Sequence, residues 1–271
     1  MAKRLQKARR AFDIKDIDMA KKAHSPELIK KQMQENEQHV STGQYLGEFV
    51  YGAIDGTITT FAVVAGAEGA SLSPGIVVIL GFANLLADGF SMASGNFLSE
   101  RTQRDFIEKE RKREEWEIEN VRDGEVQEIR EIFIRKGFKG KDLENAVKII
   151  TSDKKVWVDT MMADELGLLE SPKNPLKTAA TTYFGFLLIG VIPLLAYVLA
   201  YFFDFFRQNT FTMAVVMTFI ALFVIGVIKR YVTKNSIWKS AIETVLIGGL
   251  AATIAYYVGF FLRWVAGLGG I

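Results

Sequence analysis

Apolar residues gather into long uninterrupted runs in the second half of the chain. Residues 179–203, 209–228 and 244–262 contain no Asp, Glu, Lys or Arg. A helix needs about 20 mostly apolar residues to cross the hydrocarbon core of a bilayer, and each run has about that length. Three such runs separated by short polar loops predict three transmembrane helices, rather than buried helices of a large soluble protein.

Two earlier apolar segments, residues 49–67 and 74–98, each contain one central acid, Asp55 and Asp88 respectively. A carboxylate at the bilayer centre costs on the order of 2.5–3.5 kcal/mol on insertion scales, so it faces protein or water and marks a function. The alternative is a pair of soluble core helices with one polar position each. The apolar lengths match the later runs and favour membrane spans, so we predict five transmembrane helices.

The charged residues are concentrated between the second and third spans. We expect the second span to continue directly into a charged helix over residues 100–122, with a break at Asp123–Gly124 and a stop at Gly137. Further helices are predicted over residues 125–137, 141–151 and 156–166. The resulting segments are an N-terminal arm at 1–40, helices 1 and 2 at 41–100, a helical insert at 101–175, and helices 3–5 at 176–271.

Lys and Arg are distributed unevenly among the loops, and cytoplasmic loops carry the excess of these residues. The loop at 68–73 has none, and the loop at 204–209 has only Arg207. The two long polar segments are rich in both, and the loop between spans four and five has Lys229, Arg230, Lys234 and Lys239. We therefore predict that the N-terminus and the insert are cytoplasmic and that the C-terminus lies on the opposite side.

Composition excludes several classes of function. The chain has no Cys, so disulfide scaffolds, thiolate zinc sites and iron–sulfur clusters are excluded. Its only His residues, His24 and His39, cannot form an H-E-x-x-H site. With 33 Lys and Arg against 31 Asp and Glu, the net charge of +2 disfavours a nucleic-acid partner.

Acidic residues in the insert recur at helical spacing. Glu114 and Glu117 share one helix face, and Glu125 and Glu128 repeat the spacing after the predicted break. The last predicted helix adds a further set: Met161, Met162 and Glu165. Clustered carboxylates form a hard oxygen site for divalent cations, and thioethers add soft ligands. The alternatives are a solvated charged helix and methionines that only pack in a core.

Polar residues also share faces within the first two spans. Glu48 and Asp55 are two helical turns apart, with Gly52 and Gly56 beside them for close helix packing. On the second span, four residues repeat every fourth position: Asn84, Asp88, Met92 and Asn96. These groups either hydrogen-bond between helices or line a cation path, and the two intramembrane acids favour the path.

These motifs resemble the vacuolar iron transporter family. The resemblance rests on GEFVYGAIDGTITTFAVVAGAEGA at 47–70, ADGFSMASGNFLSER at 87–101, DTMMADELGL at 159–168 and the IGVIPLL of the third span. It extends over about residues 38–262. It implies an all-α membrane protein: a homodimer of five-helix protomers whose second helix extends into a cytoplasmic helical metal-binding domain.

The resemblance also implies an activity and a set of site residues. The activity is export of Fe²⁺ from the cytosol, into a vacuole or out of the cell, in exchange for H⁺. Asp55 matches the membrane acid that binds metal and couples protons, Met92 the thioether ligand, and Glu48 the acid nearer the cytoplasmic mouth. Gln44 and Asn84 are amides where some relatives are expected to have carboxylates, and Asp88 lies one turn from Met92. The cytoplasmic iron-binding set is Glu114, Glu117, Glu125, Glu128, Met161, Met162 and Glu165.

We therefore expect a secondary transporter rather than an enzyme, without a prosthetic group, whose partners are divalent metal ions, the lipid bilayer and a second copy of the chain. A vacuolar or other organellar membrane and a prokaryotic plasma membrane fit equally. Three alternatives are a manganese or broad divalent transporter (Mn²⁺, Co²⁺, Zn²⁺), a membrane-bound di-iron oxidase and a metal sensor without flux. The oxidase class uses Glu-x-x-His motifs, which the insert lacks because both His residues precede residue 40.

Overall fold

The computed structural model describes residues 3–34, 45–169, 171, 173–233 and 237–265, and the regular elements among these residues are helices, with no β-strand. Three residues named above, His39, Gln44 and Lys234, lie outside these ranges. The helices are, in order, α1 (Lys3–Ile14), α2 (Ile17–Ala23), α3 (Pro26–Gln34), α4 (Leu46–Gly69), α5 (Pro74–Asn120), α6 (Arg122–Arg135), α7 (Gly140–Ile150), α8 (Lys154–Thr160), a π-helical segment (Met161–Glu165), α9 (Pro175–Gly190), α10 (Ile192–Leu199), α11 (Asp204–Gln208), α12 (Thr210–Thr233) and α13 (Ile237–Val265).

The chain divides into two compact units. The spanning unit consists of residues 1–96 and 176–271, and the inserted unit of residues 97–175. Five helical stretches of the described chain are long and apolar enough to cross a bilayer: Leu46–Gly69, the apolar part of Pro74–Asn120, Pro175–Leu199, Thr210–Lys229 and Trp238–Val265. The prediction of five spans is confirmed. The expected continuation of the second span into a charged helix is also confirmed, because α5 is a single helix of 47 residues.

Small residues allow the helices of the spanning unit to pack closely around α4. A Cβ atom on Gly56 would lie 2.5 Å from the carbonyl oxygen of Phe186 on α9, and one on Gly259 of α13 would overlap the backbone of Gly66. Such contacts are typical of membrane bundles, where van der Waals packing replaces the hydrophobic driving force. The predicted close approach at Gly52 and Gly56 is confirmed, since a Cβ on Gly52 would overlap the backbone of Thr182.

The third span is interrupted where the sequence predicted one run over residues 179–203. Helix α9 ends at Gly190 and α10 begins at Ile192, with Pro193 in the first turn of α10. Proline lacks the N–H that continues a helix, and its ring collides with the carbonyl four residues earlier. The first turn is where proline is tolerated, so the chain restarts its helix there.

The inserted unit has a hydrophobic core of its own. Apolar residues at intervals of three or four, such as Ile129 with Ile132 and Leu143 with Val147, place one face of each helix inward. Gly137, at a φ of +95°, ends α6 as predicted. The buried core residues are Ile107, Ile118, Ile129, Ile132, Leu143, Val147, Trp157, Val158, Met161 and Met162.

The sequence placed the break between α5 and α6 too late. Helix α5 ends at Asn120 and α6 begins at Arg122, so Asp123 and Gly124 lie inside the first turn of α6. The helical break is at Val121, with φ −129° and ψ 37°. The physical reason is electrostatic: an acid in the first turn stabilises a helix N-terminus through its dipole, so Asp123 favours a start rather than a stop.

Candidate metal-binding site

Carboxylates from two helices converge within the inserted unit. Glu114 and Glu117 lie one turn apart on α5, and Glu125 lies in the first turn of α6. Because only Val121 separates the helices, these residues are near neighbours in space as well as in sequence. One carboxylate oxygen from each of the three lies within 4.8 Å of the others, a spacing that would fit one metal ion.

The three carboxylates differ in their access to solvent. The side chain of Glu114 is 1% exposed and that of Glu117 is 27% exposed, and Glu125 is 5% exposed. The Oε2 atoms of Glu114 and Glu125 are buried and accept no hydrogen bond within the described part of the chain. A buried carboxylate oxygen without a partner is costly, and a cation bound between the two would relieve that cost.

Glu128 and Glu165 join these three acids, and we call the five residues the carboxylate cluster: Glu114, Glu117, Glu125, Glu128 and Glu165. Glu128 and Glu165 are exposed, so the cluster has a buried floor and an open rim. Glu165 shares a hydrogen bond with Glu128 and repels Glu114 electrostatically. The structure thus brings together all five glutamates predicted from the sequence.

Burial and mutual repulsion alter the protonation of the cluster. Burial raises the pKa of Glu114 to about 7, the Arg113 guanidinium opposes the shift, and three cluster acids add to it. Burial and the same kind of repulsion raise the pKa of Glu125 to about 7. The pKa of Glu165 is also raised, by desolvation and by Glu128. Neighbouring carboxylates disfavour each other's ionised form, and the opposite charge of a divalent cation favours that form.

The two predicted methionine ligands belong to the segment that bears Glu165. Met161 is 0% exposed and Met162 is 3% exposed, and both pack into the core of the inserted unit. The sequence predicted one α-helix over residues 156–166, but the chain turns π-helical at Met161, where the Leu166 N–H donates to the Met161 carbonyl at 3.2 Å. Single π turns recur at functional sites, and no periodicity in this sequence marks this one.

The acids of the membrane spans lie on α4 and α5 of the spanning unit. Asp55 and Asp88 are both half-buried and interact electrostatically. Glu48 is half-buried in the first turn of α4, and Met92 packs against the core of the unit. This interaction places Asp55 of α4 near Asp88 of the polar stripe on α5.

The amides of that stripe have different environments. Asn96 donates a hydrogen bond of 2.8 Å to Thr182 on α9, so this residue joins two helices. The Nδ2 atom of Asn84 is buried and has no hydrogen-bond partner among the described residues. The alternative of interhelical hydrogen bonding thus holds for Asn96 and not for Asn84.

Arg113, a cation on α5, was not singled out from the sequence. Its guanidinium donates to Glu110 at 2.9 Å, to Glu114 at 2.6 Å and to Glu117. Position alone does not distinguish it from Lys112, which pairs with Glu108 outside the cluster.

The fold defines an integral membrane protein with five candidate spans and a compact helical unit between the second and the third. The model of the VIT family matches residues 46–260, and the chain belongs to that family. The family expected from the motifs is thereby confirmed.

Similar proteins match far beyond the motifs. The vacuolar iron transporter of Toxoplasma gondii is 37% identical, over 97% of this chain and 90% of the relative. The protein of the same name from Plasmodium falciparum is 34% identical, over 97% and 98% of the two chains. Vacuolar iron transporter 1 of Arabidopsis thaliana is 34% identical, over 81% of this chain and 87% of the relative.

Proposed function

We propose that this chain is a transporter, not an enzyme, which moves Fe²⁺ out of the cytosol in exchange for protons. One observation carries the proposal: carboxylates of Glu114, Glu117 and Glu125 converge in a VIT family protein, and two of them have a buried oxygen without a hydrogen-bond partner among the described residues. Relatives named vacuolar iron transporters indicate iron as the metal. Iron and protons are substrates in this scheme, and no prosthetic group takes part.

The carboxylate cluster is the proposed capture site. Its exposed rim at Glu128 and Glu165 admits the ion from water, and its buried floor supplies negative oxygens, which are suitable ligands for divalent ions. Met161 and Met162, on the same segment as Glu165, are proposed to add thioether sulfur. Soft sulfur would favour Fe²⁺ over Mg²⁺, which is the more abundant competitor.

Asp55, Asp88 and Met92 form the proposed transport site, with Glu48 nearer its cytoplasmic entrance. The electrostatic interaction of the two aspartates supports a shared cation, and Asp88 supplies the charge that Asn84 lacks. Metal ligands must be deprotonated to bind. A proton arriving from the far side therefore competes with iron for Asp55, and this competition couples the two fluxes.

The distribution of Lys and Arg supports the direction of transport, because it assigns the inserted unit to the cytoplasm. The capture site then faces the cytosol, and the far side is the vacuolar or extracellular space. The names of the relatives, vacuolar iron transporters, favour a vacuolar or similar organellar membrane.

A homodimer would complete the path between α4 and α5 of two copies. In the single chain Ser91 is exposed and Asp88 is only half-buried, although both lie within a candidate span. Polar groups at that depth face protein or water rather than lipid. A second copy packed on this face would supply that protein surface.

A broad divalent transporter is the second candidate. The side chains that converge at the cluster are all carboxylates, while both methionines pack in the hydrophobic core. A site of oxygen ligands alone accepts Mn²⁺ as readily as Fe²⁺, so Mn²⁺ is the most direct competitor.

Metal uptake by proteoliposomes tests both candidates. The purified protein is reconstituted, and anaerobic Fe²⁺ uptake is followed alone and with excess Mn²⁺, Co²⁺ or Zn²⁺ outside. Uptake of Mn²⁺ alone is measured in parallel. We expect saturable Fe²⁺ uptake that protein-free vesicles lack, and only weak inhibition by Mn²⁺. Equal uptake of Fe²⁺ and Mn²⁺ would establish the broad transporter, and no uptake of any ion would contradict both.

A further inference from the structure

Arg113 is a cation of the protein that already contacts the carboxylate cluster. It lies on α5, and three of its nitrogens reach three different carboxylates. Nε donates to Glu110 at 2.9 Å, Nη2 to Glu114 at 2.6 Å, and Nη1 to Glu117. Two of these carboxylates belong to the cluster, and the third, Glu110, does not. The guanidinium therefore stands between the cluster and a carboxylate outside it.

The contacts of Arg113 divide the cluster into two parts. Oε1 of Glu114 accepts from Arg113, while Oε2 of the same residue is buried without a partner in the described chain. The charged groups of the described chain that act on Glu125 are acids: Glu114, Glu117, Glu128 and Glu165. One part of the cluster is thus neutralised by the protein itself, and the other part is left for an external cation.

The surroundings of Arg113 allow it to leave the cluster. Its side chain is 41% exposed, so the guanidinium can turn towards water without crossing the core. Glu110 is 19% exposed and can keep its contact when the other two carboxylates are given up. Arginine remains charged at any physiological pH, so its displacement does not require a proton transfer.

We propose that Arg113 is a built-in competitor of the transported metal. It occupies Glu114 and Glu117 while no ion is bound, gives them up when an ion enters, and takes them back when the ion moves on. This inference rests on the proposed function, because it concerns the affinity of the same capture site. A site on a transport path must bind strongly enough to capture an ion and weakly enough to release it, and Arg113 supplies the second property.

The test measures Fe²⁺ affinity and release in the full-length protein, under anaerobic conditions and in detergent. Arg113→Gln removes the competing charge. Lys112→Gln is the matched control, because it removes the same charge from the adjacent residue. The Lys112 side chain is 70% exposed and pairs with Glu108 at 2.7 Å. Arg113→Lys keeps the charge and loses the forked geometry. Each variant is also made with Glu114→Gln and Glu125→Gln.

We expect Arg113→Gln to bind Fe²⁺ roughly fivefold more tightly than the wild type, which corresponds to the upper end of the range for one partly exposed charge pair. Its release to excess chelator should be correspondingly slower. Lys112→Gln should change affinity by less than about twofold, and Arg113→Lys should lie between Arg113→Gln and the wild type. The gain should disappear when Glu114 and Glu125 are glutamines.

Two results would overturn the inference in distinguishable ways. If the wild type binds Fe²⁺ at the cluster and Arg113→Gln binds equally or more weakly, Arg113 orders the ligands and does not compete. If the Glu114→Gln and Glu125→Gln changes leave Fe²⁺ binding intact, the capture site itself is wrong and both proposals fail. Should Arg113→Gln not fold, Arg113→Lys still decides, because unchanged affinity and release in that variant would contradict competition.

Discussion

Glu114 and Glu125 lie on different helices, yet both side chains are almost fully buried and their carboxylates belong to one group with oxygens within 4.8 Å. Two ionised carboxylates in such a place repel each other and are poorly solvated. The pair is stable when protonated or when a cation lies between the two groups. Protons and metal are therefore expected to compete here.

Metal affinity should depend steeply on pH around neutrality. The pKa values of Glu114 and Glu125 are both about 7 in the metal-free protein, and only the ionised forms are good ligands. Fe²⁺ affinity should therefore rise as pH increases from 6 to 8. Isothermal titration of the detergent-solubilised protein across this range is the measurement, and a pH-independent affinity would contradict the assignment.

The metal-free protein should lose stability over a lower pH window that overlaps this one. Both acids have an ordinary pKa of 4.5 that folding raises to about 7, so the folded state holds more protons than the unfolded state between these values. Stability then falls as pH rises from about 4.5 to about 7. Thermal melting should show this fall in metal-free protein and a much smaller one with saturating Mn²⁺. A melting temperature that rises over this interval would contradict it.

Neutralising the buried acids should weaken metal binding selectively. Glu114→Gln and Glu125→Gln each remove one charged ligand and should lower Fe²⁺ affinity on the order of tenfold. Glu144→Gln is the control, because Glu144 pairs with Arg130 on an exposed face of the same unit with 60% of its side chain accessible. Equal losses in all three variants would indicate a general charge effect instead of a site.

Close helix packing at Gly56 should be essential for the spanning unit. Gly56→Ala places a Cβ 2.5 Å from the Phe186 carbonyl oxygen, and such overpacking costs about 1–3 kcal/mol. Gly95→Ala is the matched control on α5, because a Cβ there meets no atom within 4 Å. Thermal melting in detergent should show a clear loss only for Gly56→Ala, and equal melting temperatures would show that α9 can shift.

The sequence predicted the features that arise from local pattern. Span lengths follow from apolar runs, and the glutamate cluster follows from spacing on two consecutive helices. The break at Val121 was missed because Asp123–Gly124 resembles a stop, although an acid in that position stabilises a helix start. The π turn at Met161 was missed because the apolar spacing of residues 156–166 is that of an ordinary α-helix, and single π turns are rare.

Arg113 illustrates a different limit of sequence interpretation. Lys112 and Arg113 are adjacent cations on one helix, and spacing alone allows either to pair with acids three or four residues away. Their roles separate only when the direction of each side chain is known. Lys112 contacts Glu108 on the exposed side, whereas Arg113 contacts Glu114 on the buried side.

Simultaneous measurement of iron uptake and internal pH in proteoliposomes tests exchange of Fe²⁺ for protons at Asp55 most directly. With an acidic interior and Fe²⁺ outside, the wild type should take up iron while the interior becomes more alkaline, and Asp55→Asn should abolish both signals. Asp55→Asn should keep wild-type Fe²⁺ binding at the carboxylate cluster, which shows that the variant is folded. Iron uptake without alkalinisation, or uptake that persists in folded Asp55→Asn, would contradict the proposed exchange.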